Sequence, residues 1–316
     1  MLNYGIMSCS SIAPRFIAAV RESNAGRILA VSSRTLERAK EKALLWNVPK
    51  AYGSDEELLT DPEINIVYIS TINALHYQCA KNALLAGKHV ICEKPCTVCE
   101  KDTKALFELA KEKKLFLMEA QKMLFLPTLI DVKRLLHAGV LGKPCIIEMS
   151  QSFSAKYNTW LFDQTAGGGT LLSSGIYAIE LVLWLFGEID EINCTKSTRE
   201  NGTEYQYHIS GKTMNNVLFS ASNSTESALK NEAVIYCEKG KIVIPEFWKA
   251  RRATVVSSNG TKHIEYACKY ELQYEAEHIM ECVKNGYLTS PVITPALSLR
   301  AISLLEYLKK GNTHVP

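Results

Sequence analysis

Lys88-His89-Val90-Ile91-Cys92-Glu93-Lys94-Pro95 is the stretch on which the reading of this chain turns. An apolar run ends there at two adjacent charges and a proline, which has no N–H to continue a ladder. In an open parallel sheet, ligands bind in the crevice beyond the carboxyl ends of the strands, so a strand stopping at Glu93 would project the Lys94 ammonium into that crevice. A partly desolvated lysine can hold or move a proton near neutral pH. The bland alternative is a surface Glu-Lys turn, and the flanking sequence decides between the two.

Upstream, strand and helix signals alternate. Tyr4-Gly5-Ile6-Met7 reads as a strand, Ser8-Cys9-Ser10-Ser11 as a loop, and Ile12-Ala13-Pro14 as the start of a helix running to about Val20, with proline suited to a first turn. Strand, small-residue loop and helix make the phosphate-binding corner of a dinucleotide fold. The expected G-x-G-x-x-G is absent: Ser8, Ser10 and Ala13 stand in its place, and the serine hydroxyls, with Ser11 and Ile12 at the helix entry, are the candidate phosphate contacts. A second strand, Arg27 to Ser32, leads into Ser33-Arg34 and a helix from Thr35 to about Trp46. An acidic residue roughly 20 residues past the loop binds ribose hydroxyls, whereas arginine accommodates a 2′-phosphate, so Ser33 and Arg34 favour NADP over NAD, with NAD the alternative. An exposed loop arginine is the competing explanation. Ser54-Asp55-Glu56-Glu57 has capping-box spacing and opens a short helix ending before Asp61-Pro62.

Ile66 to Ile69 is the next buried strand and delivers Ser70-Thr71-Ile72-Asn73 to the same sheet edge, followed by a helix from His76 to Ala86 closed by Gly87. Thr71, Asn73 and His76 are thereby expected near the cofactor, His76 as a binding contact only, while His89 reads as a satisfied core residue. Lys101 to Lys113 forms the returning helix and Leu115 to Ala120 the last strand of a first domain, with Glu119 at its end. Cys96-Thr97-Val98-Cys99 matches a redox C-x-x-C only superficially, since it follows a proline and lacks further support.

Past this point the pattern changes. Strands at Cys145 to Met149, Glu191 to Ser197, Glu204 to Ser210, Val217 to Ser222, Glu232 to Glu238, Lys241 to Ile244 and Ala253 to Ser257 follow one another almost without helices, which predicts a mainly antiparallel sheet. Gly167-Gly168-Gly169 enters an apolar helix that ends near Phe186-Gly187, and two further helices, Leu272 to Lys284 and Pro295 to Leu308, close the chain. The expected fold class is therefore α/β plus α+β: a doubly wound parallel Rossmann domain at 1–120 and a substrate-binding and oligomerisation domain at 121–316, whose last helices pack back on the first.

The 316 residues suit about two domains. A net charge of +3 and no basic run argue against nucleic acid as a partner. The longest apolar stretch, Ile176 to Phe186, contains Glu180 and is short of the roughly 20 residues of a membrane span, so no membrane anchor is expected. Ten scattered cysteines fit reduced thiols in a cytoplasmic protein better than a disulfide framework. No metal-ligand cluster is legible, and no metal is expected.

Taken together, Gly5 to Ala13, Ser33-Arg34, Thr71 to His76, Ala86 to Pro95, Met118-Glu119-Ala120 and Gly167 to Leu172 resemble the glucose-fructose oxidoreductase, inositol dehydrogenase and MocA (Gfo/Idh/MocA) family, and most closely its branch of dimeric dihydrodiol dehydrogenase-like enzymes. The resemblance implies an NAD(P)-dependent dehydrogenase or reductase acting on CH-OH or CH-CH donors, with a sugar, polyol or trans-dihydrodiol as the small-molecule substrate. It implies that Lys94 lies beside the nicotinamide and contacts the reacting hydroxyl, that Glu93 orients the turn, that the peptide before Pro95 is cis, and that Glu119 faces the nicotinamide ring. Tyr177 is the implied partner of Lys94, or else a core aromatic; Trp160 caps the nicotinamide or simply packs. The family's usual aspartate is replaced here by Ser173, and a usual arginine by Leu124, its contact being lost or shifted to Lys122. A homodimer or homotetramer through the C-terminal sheet is implied as well. The missing aspartate and the glycine-poor loop support an alternative, a catalytically weakened NADP-binding regulatory or sensor protein.

Overall fold

Six strands, all parallel, form the first sheet: β1 (Asn3–Met7), β2 (Arg27–Ser32), β3 (Lys50–Tyr52), β4 (Ile66–Ile69), β5 (His89–Glu93) and β6 (Leu117–Ala120), in the spatial order β3-β2-β1-β4-β5-β6. The structure is a computed structural model and describes residues 1–155 and 159–311. Five helices connect these strands: α1 (Ala13–Glu22), α2 (Leu36–Trp46), α3 (Asp55–Thr60), α4 (His76–Leu85) and α5 (Glu100–Lys113). The strand order reverses between β1 and β4, the switch point at which open α/β sheets bind ligands. Covered on both faces, the central strands are apolar without alternation: all four residues of β4 are buried. Phe16 of α1 lies stacked on Tyr68 of β4 with centroids 3.8 Å apart and meets Tyr4 of β1 edge-on at 5.6 Å, which fixes α1 against the sheet.

The chain divides into two units, Met1–Gln121 with Lys269–Leu299, and Lys122–Cys268 with Arg300–Pro316. The second is therefore not one continuous 121–316 segment. The returning piece belongs to the first unit because α8 (Gln273–Lys284) packs on α1, Lys269 and Arg15 pair with Glu22 and Glu271, and the Leu117 N–H donates to the Leu288 carbonyl at 3.0 Å.

Eight strands make the sheet of the second unit: β7 (Pro144–Ser152), β8 (Ile189–Thr198), β9 (Glu204–Thr213), β10 (Leu218–Ser224), β11 (Glu232–Cys237), β12 (Gly240–Pro245), β13 (Arg252–Ser257) and β14 (Gly260–Glu265), ordered β14-β13-β12-β11-β7-β10-β9-β8. Every pair is antiparallel except β7 with β10. Helices α6 (Pro127–His137) and α7 (Ile176–Phe186) precede and interrupt this series, and α9 (Pro295–Lys309) ends it. Gly211 of β9 is needed where it stands, since a Cβ there would collide with the Glu191 carbonyl and the Phe219 ring. Two strands carry no pattern a sequence reading detects: β3 is three residues long, and β14 is exposed at five of its six positions.

Candidate functional site

The loop between β1 and α1 takes up a glycine conformation without glycine. Ser8 sits at φ +86°, the left-handed region that ordinarily costs an L-residue about 1–2 kcal/mol. Ile12 is the N-cap of α1 and makes no side-chain cap bond, and the first turn of α1 carries no acidic residue. Neither an N-cap side chain nor an acidic residue of the first turn is spent on the first N–H groups of the helix, an arrangement open to an anion. One hydroxyl is already committed: Ser10 Oγ donates to Ser70 Oγ at the end of β4, 2.8 Å away. Ser11 is exposed.

Beside this loop lies a cavity of 430 Å³ lined by Ser8, Cys9, Ser33, Arg34, Arg38, Asp55 and Thr71 among others. Thr35 caps α2 by accepting from the Arg38 N–H at 3.3 Å, so that helix begins with Arg34 just before it and Arg38 one turn on. The Arg38 guanidinium donates to the Cys9 carbonyl at 3.5 Å, bringing the cation to the phosphate loop. Cys9 and Asp55 read in the sequence only as loop and cap residues, and Arg38 is not singled out there; its four-residue spacing from Arg34 is the signal that identifies it. Asp55, the first residue of α3, accepts from Ser32 Oγ. Burial raises its carboxyl pKa, Glu56 adds to the rise, and the Ser32 hydroxyl opposes it. A carboxyl raised in this way is closer to its neutral form and repels an anion less. Burial likewise pushes the Cys9 thiol up, against a hydrogen bond with Ser33 and the charges of Arg38 and Lys42.

The second feature of this edge is the turn at the end of β5, where the Lys94-Pro95 peptide is cis. Tyr68 Oη donates to one oxygen of Glu93, and the Lys94 N–H donates to the other at 3.2 Å. Glu119 of β6 is buried and accepts from the Cys96 N–H at 3.0 Å. The His76 ring lies with Nδ1 2.8 Å from the Pro95 carbonyl and Nε2 3.2 Å from the Thr71 carbonyl. Burial lowers the His76 pKa, against the pull of those carbonyls and of Glu93. His76, through the Pro95 carbonyl, and one oxygen of Glu119, through the Cys96 N–H, brace the Lys94 turn from α4 and β6. Asn73 is buried in a short 3-10 turn, Asn73–Leu75, ahead of α4. His89, half-buried at the start of β5, accepts from the Phe116 N–H at 2.9 Å. All ten cysteines are free thiols, Cys96 and Cys99 included.

In the second unit the glycine run is a tight fold-back. A Cβ on Gly168 would meet the carbonyls of Trp160, Leu161 and Asp163, so only glycine fits. A π-turn, Leu171–Gly175, then leads into α7, buried at all but one position. Tyr177, in the first turn of α7, is 8% exposed, and its hydroxyl oxygen accepts from Lys122 Nζ at 3.2 Å. Lys122 opens a short 3-10 helix, Lys122–Phe125, in which every residue is buried. Leu124 packs in the core beside it, and Trp160 is 42% exposed in a 3-10 turn. Among the described residues there is no group of three metal-ligating side chains, and no helix is long and apolar enough to cross a membrane.

Comparison with known proteins agrees with this architecture. Residues 2–121 match the model of an oxidoreductase family with an NAD-binding Rossmann fold, and residues 129–243 match a GFO/IDH/MocA C-terminal domain. The chain is 30% identical to the trans-1,2-dihydrobenzene-1,2-diol dehydrogenase of Mus musculus, over 98% of this chain and 96% of the relative, and 29% identical to that of Homo sapiens over 98% and 96%. Among solved structures, an aldose-aldose oxidoreductase from Caulobacter crescentus superposes with a TM-score of 0.89 at 22% identity, covering 98% of this chain and 97% of the other. The 3-ketoreductase KijD10 from Actinomadura kijaniata, solved with NADP and TDP-benzene, superposes with a TM-score of 0.88 at 22% identity, covering 100% and 99%. A parallel six-stranded nucleotide-binding sheet, an eight-stranded mostly antiparallel sheet and these matches over nearly the whole length make the chain a member of the GFO/IDH/MocA family of oxidoreductases.

Proposed function

We propose that the protein is an NADP-dependent oxidoreductase that transfers hydride between the nicotinamide ring and a secondary alcohol or carbonyl carbon of a sugar, polyol or trans-dihydrodiol. The observation that carries the reading is the pairing, on one sheet edge, of a cation-lined cavity at Ser33, Arg34 and Arg38 with the braced Lys94 turn. The dihydrodiol class is suggested by the names of the relatives, and the sugar class by the folds that superpose.

The residues present suit a dinucleotide. Ser8, in its left-handed conformation, lets the loop approach a pyrophosphate, and the uncapped N-terminus of α1 receives its charge. Arg34 and Arg38 would hold a 2′-phosphate, with Ser33 donating its hydroxyl, and Thr71 and Asn73 would flank the ring end. When bound, the cofactor supplies the hydride acceptor or donor. The chain's own part is alignment and the proton: Lys94 and Tyr177 together manage the hydroxyl proton. General acid-base groups of this kind contribute about 10²- to 10⁴-fold. Ten free thiols suit a reducing compartment.

Asp55 and Glu56, in the same cavity, favour a second reading in which ribose hydroxyls are bound and NAD is used. Calorimetry with NADPH and NADH decides: the first reading expects tighter NADPH binding that falls by at least about tenfold in Arg34→Ala and Arg38→Ala, each charged hydrogen bond being worth about 1.5–3 kcal/mol. A preference for NADH overturns it. Lys94→Ala is expected to keep NADPH affinity and lose most turnover in a screen of polyols, aldoses and dihydrodiols. Tight NADPH binding with no turnover across that panel would instead identify a sensor.

A further inference from the structure

Lys122 is an interior amine, only 7% exposed, on a 3-10 helix with no exposed residue. Placing an ammonium there is costly unless a partner compensates, and a methionine or leucine would fill the space without that cost. Lys122 Nζ donates to the Tyr177 hydroxyl oxygen at 3.2 Å and lies 5.3 Å from the centroid of the same ring. A phenol oxygen that accepts from an ammonium directs its own O–H elsewhere. The phenolate left when that proton departs is stabilised by the adjacent positive charge. Both properties are what a proton-handling tyrosine needs, and neither serves a tyrosine that only packs.

We propose that Lys122 is the positioning residue of Tyr177: it turns the phenol proton toward the reacting oxygen and stabilises the phenolate. The proposal rests on the reading of Tyr177 as a proton-handling group. In the reducing direction the Tyr177 O–H bond breaks, its proton goes to the substrate's carbonyl oxygen while hydride arrives at the carbonyl carbon, and the charge left on Oη faces the Lys122 ammonium. Water then returns a proton to Oη. In the oxidising direction the same phenolate accepts the alcohol proton. Lys122 itself gives up nothing. Ionisable groups on or against α7 also include Glu180, one turn further along the helix, Tyr207 of β9, which hydrogen-bonds Ser174, and Lys133, 4.0 Å over the Trp184 ring of α7. An ionised Glu180 would act on Tyr177 in the opposite sense to Lys122, so the effect of Lys122 is read as a difference with Glu180 unchanged.

The test does not depend on turnover. The Tyr177 ring is followed by NMR of isotope-labelled tyrosine, assigned with Tyr177→Phe, while pH is raised. Replacing the charge in Lys122→Met is expected to move the Tyr177 ionisation upward by about one pH unit or more, and Lys122→Arg to restore it. With a substrate in hand, Lys122→Met is expected to lower kcat about tenfold with KM little changed, the loss shrinking as pH rises in the oxidising direction. The loss should also vanish in a Tyr177→Phe background. An unchanged ionisation in Lys122→Met overturns the proposal, as do additive losses in the double variant. If Lys122→Met does not fold, Lys122→Gln carries the same comparison, and an unchanged Tyr177 ionisation there overturns it. A protein without turnover whose Tyr177 ionisation still moves with Lys122 would refute the enzymatic reading and leave the pairing intact.

Discussion

A single serine measures how far this loop departs from the dinucleotide pattern. Ser8 adopts φ +86°, so the backbone geometry of the phosphate corner is kept while the residue that makes it inexpensive is not. Ser8→Gly is expected to stabilise the protein by up to about 1 kcal/mol, part of the gain being offset by the greater freedom of glycine in the unfolded chain. Urea denaturation measures it, and a lower midpoint in the glycine variant would show that the Ser8 side chain contributes more than its strain costs. The roles of Lys94, Arg34 and Arg38 belong to the same scale, because each is carried by one charged group at a strand or helix end.

At the scale of elements, a buried carboxylate holds the far end of α3. Asp61, just after α3, accepts from Lys50 Nζ at 2.7 Å, Tyr52 Oη at 2.8 Å and the Glu63 N–H at 2.9 Å, tying β3 to the end of α3. Lys88 Nζ donates to the Asp61 and Ile64 carbonyls at 2.8 and 2.7 Å and anchors the same corner from the start of the β5 segment. Burial alone would push the Asp61 carboxyl up; its hydrogen bonds with Lys50, Glu63 and Tyr52 outweigh burial and hold it below its ordinary value. Asp61→Asn is expected to destabilise by about 2 kcal/mol, the worth of a hydrogen bond to a charged group. Because the folded pKa lies below the unfolded value of about 3.9, the contribution is complete above that pH and lost as pH falls through the folded pKa. Stability of the parent should therefore fall more steeply than that of Asp61→Asn on acidification below about pH 4, and parallel acid limbs in denaturant titrations would refute the assignment.

At the scale of the molecule, the eight-stranded sheet presents two unlike faces. Ile147, Met149, Phe219, Ala221, Ile235 and Ile242 are buried on one, while Ile146 and Leu218, paired in register across β7 and β10, are 36% and 49% exposed on the other. A self-association surface through that second face is the assembly proposed for this protein, since a closed dimer would place the Ile146–Leu218 pair against its own copy. Ile146→Asp combined with Leu218→Asp is expected to reduce the mass measured by light scattering to that of one chain, with NADPH binding retained. An unchanged mass would move the interface elsewhere, and a parent already measured as one chain would remove it.

Local chemistry alone determined much of this protein. Buried runs such as Ile66 to Ile69, the Ser54 and Thr35 caps and the glycine stops are each set by neighbours within one turn or strand, so the parallel sheet and its ligand-binding edge follow from the order of residues. Tertiary structure decided what no short window contains. Asp61 is joined to Lys50 across eleven positions, and Glu119 to Cys96 across twenty-three. Lys122 reaches Tyr177 across fifty-five. Lys269–Leu299 returns to the first unit from the far end of the sequence. Such pairings depend on burial and direction in the folded chain, where a desolvated charge must find its partner wherever packing has placed it.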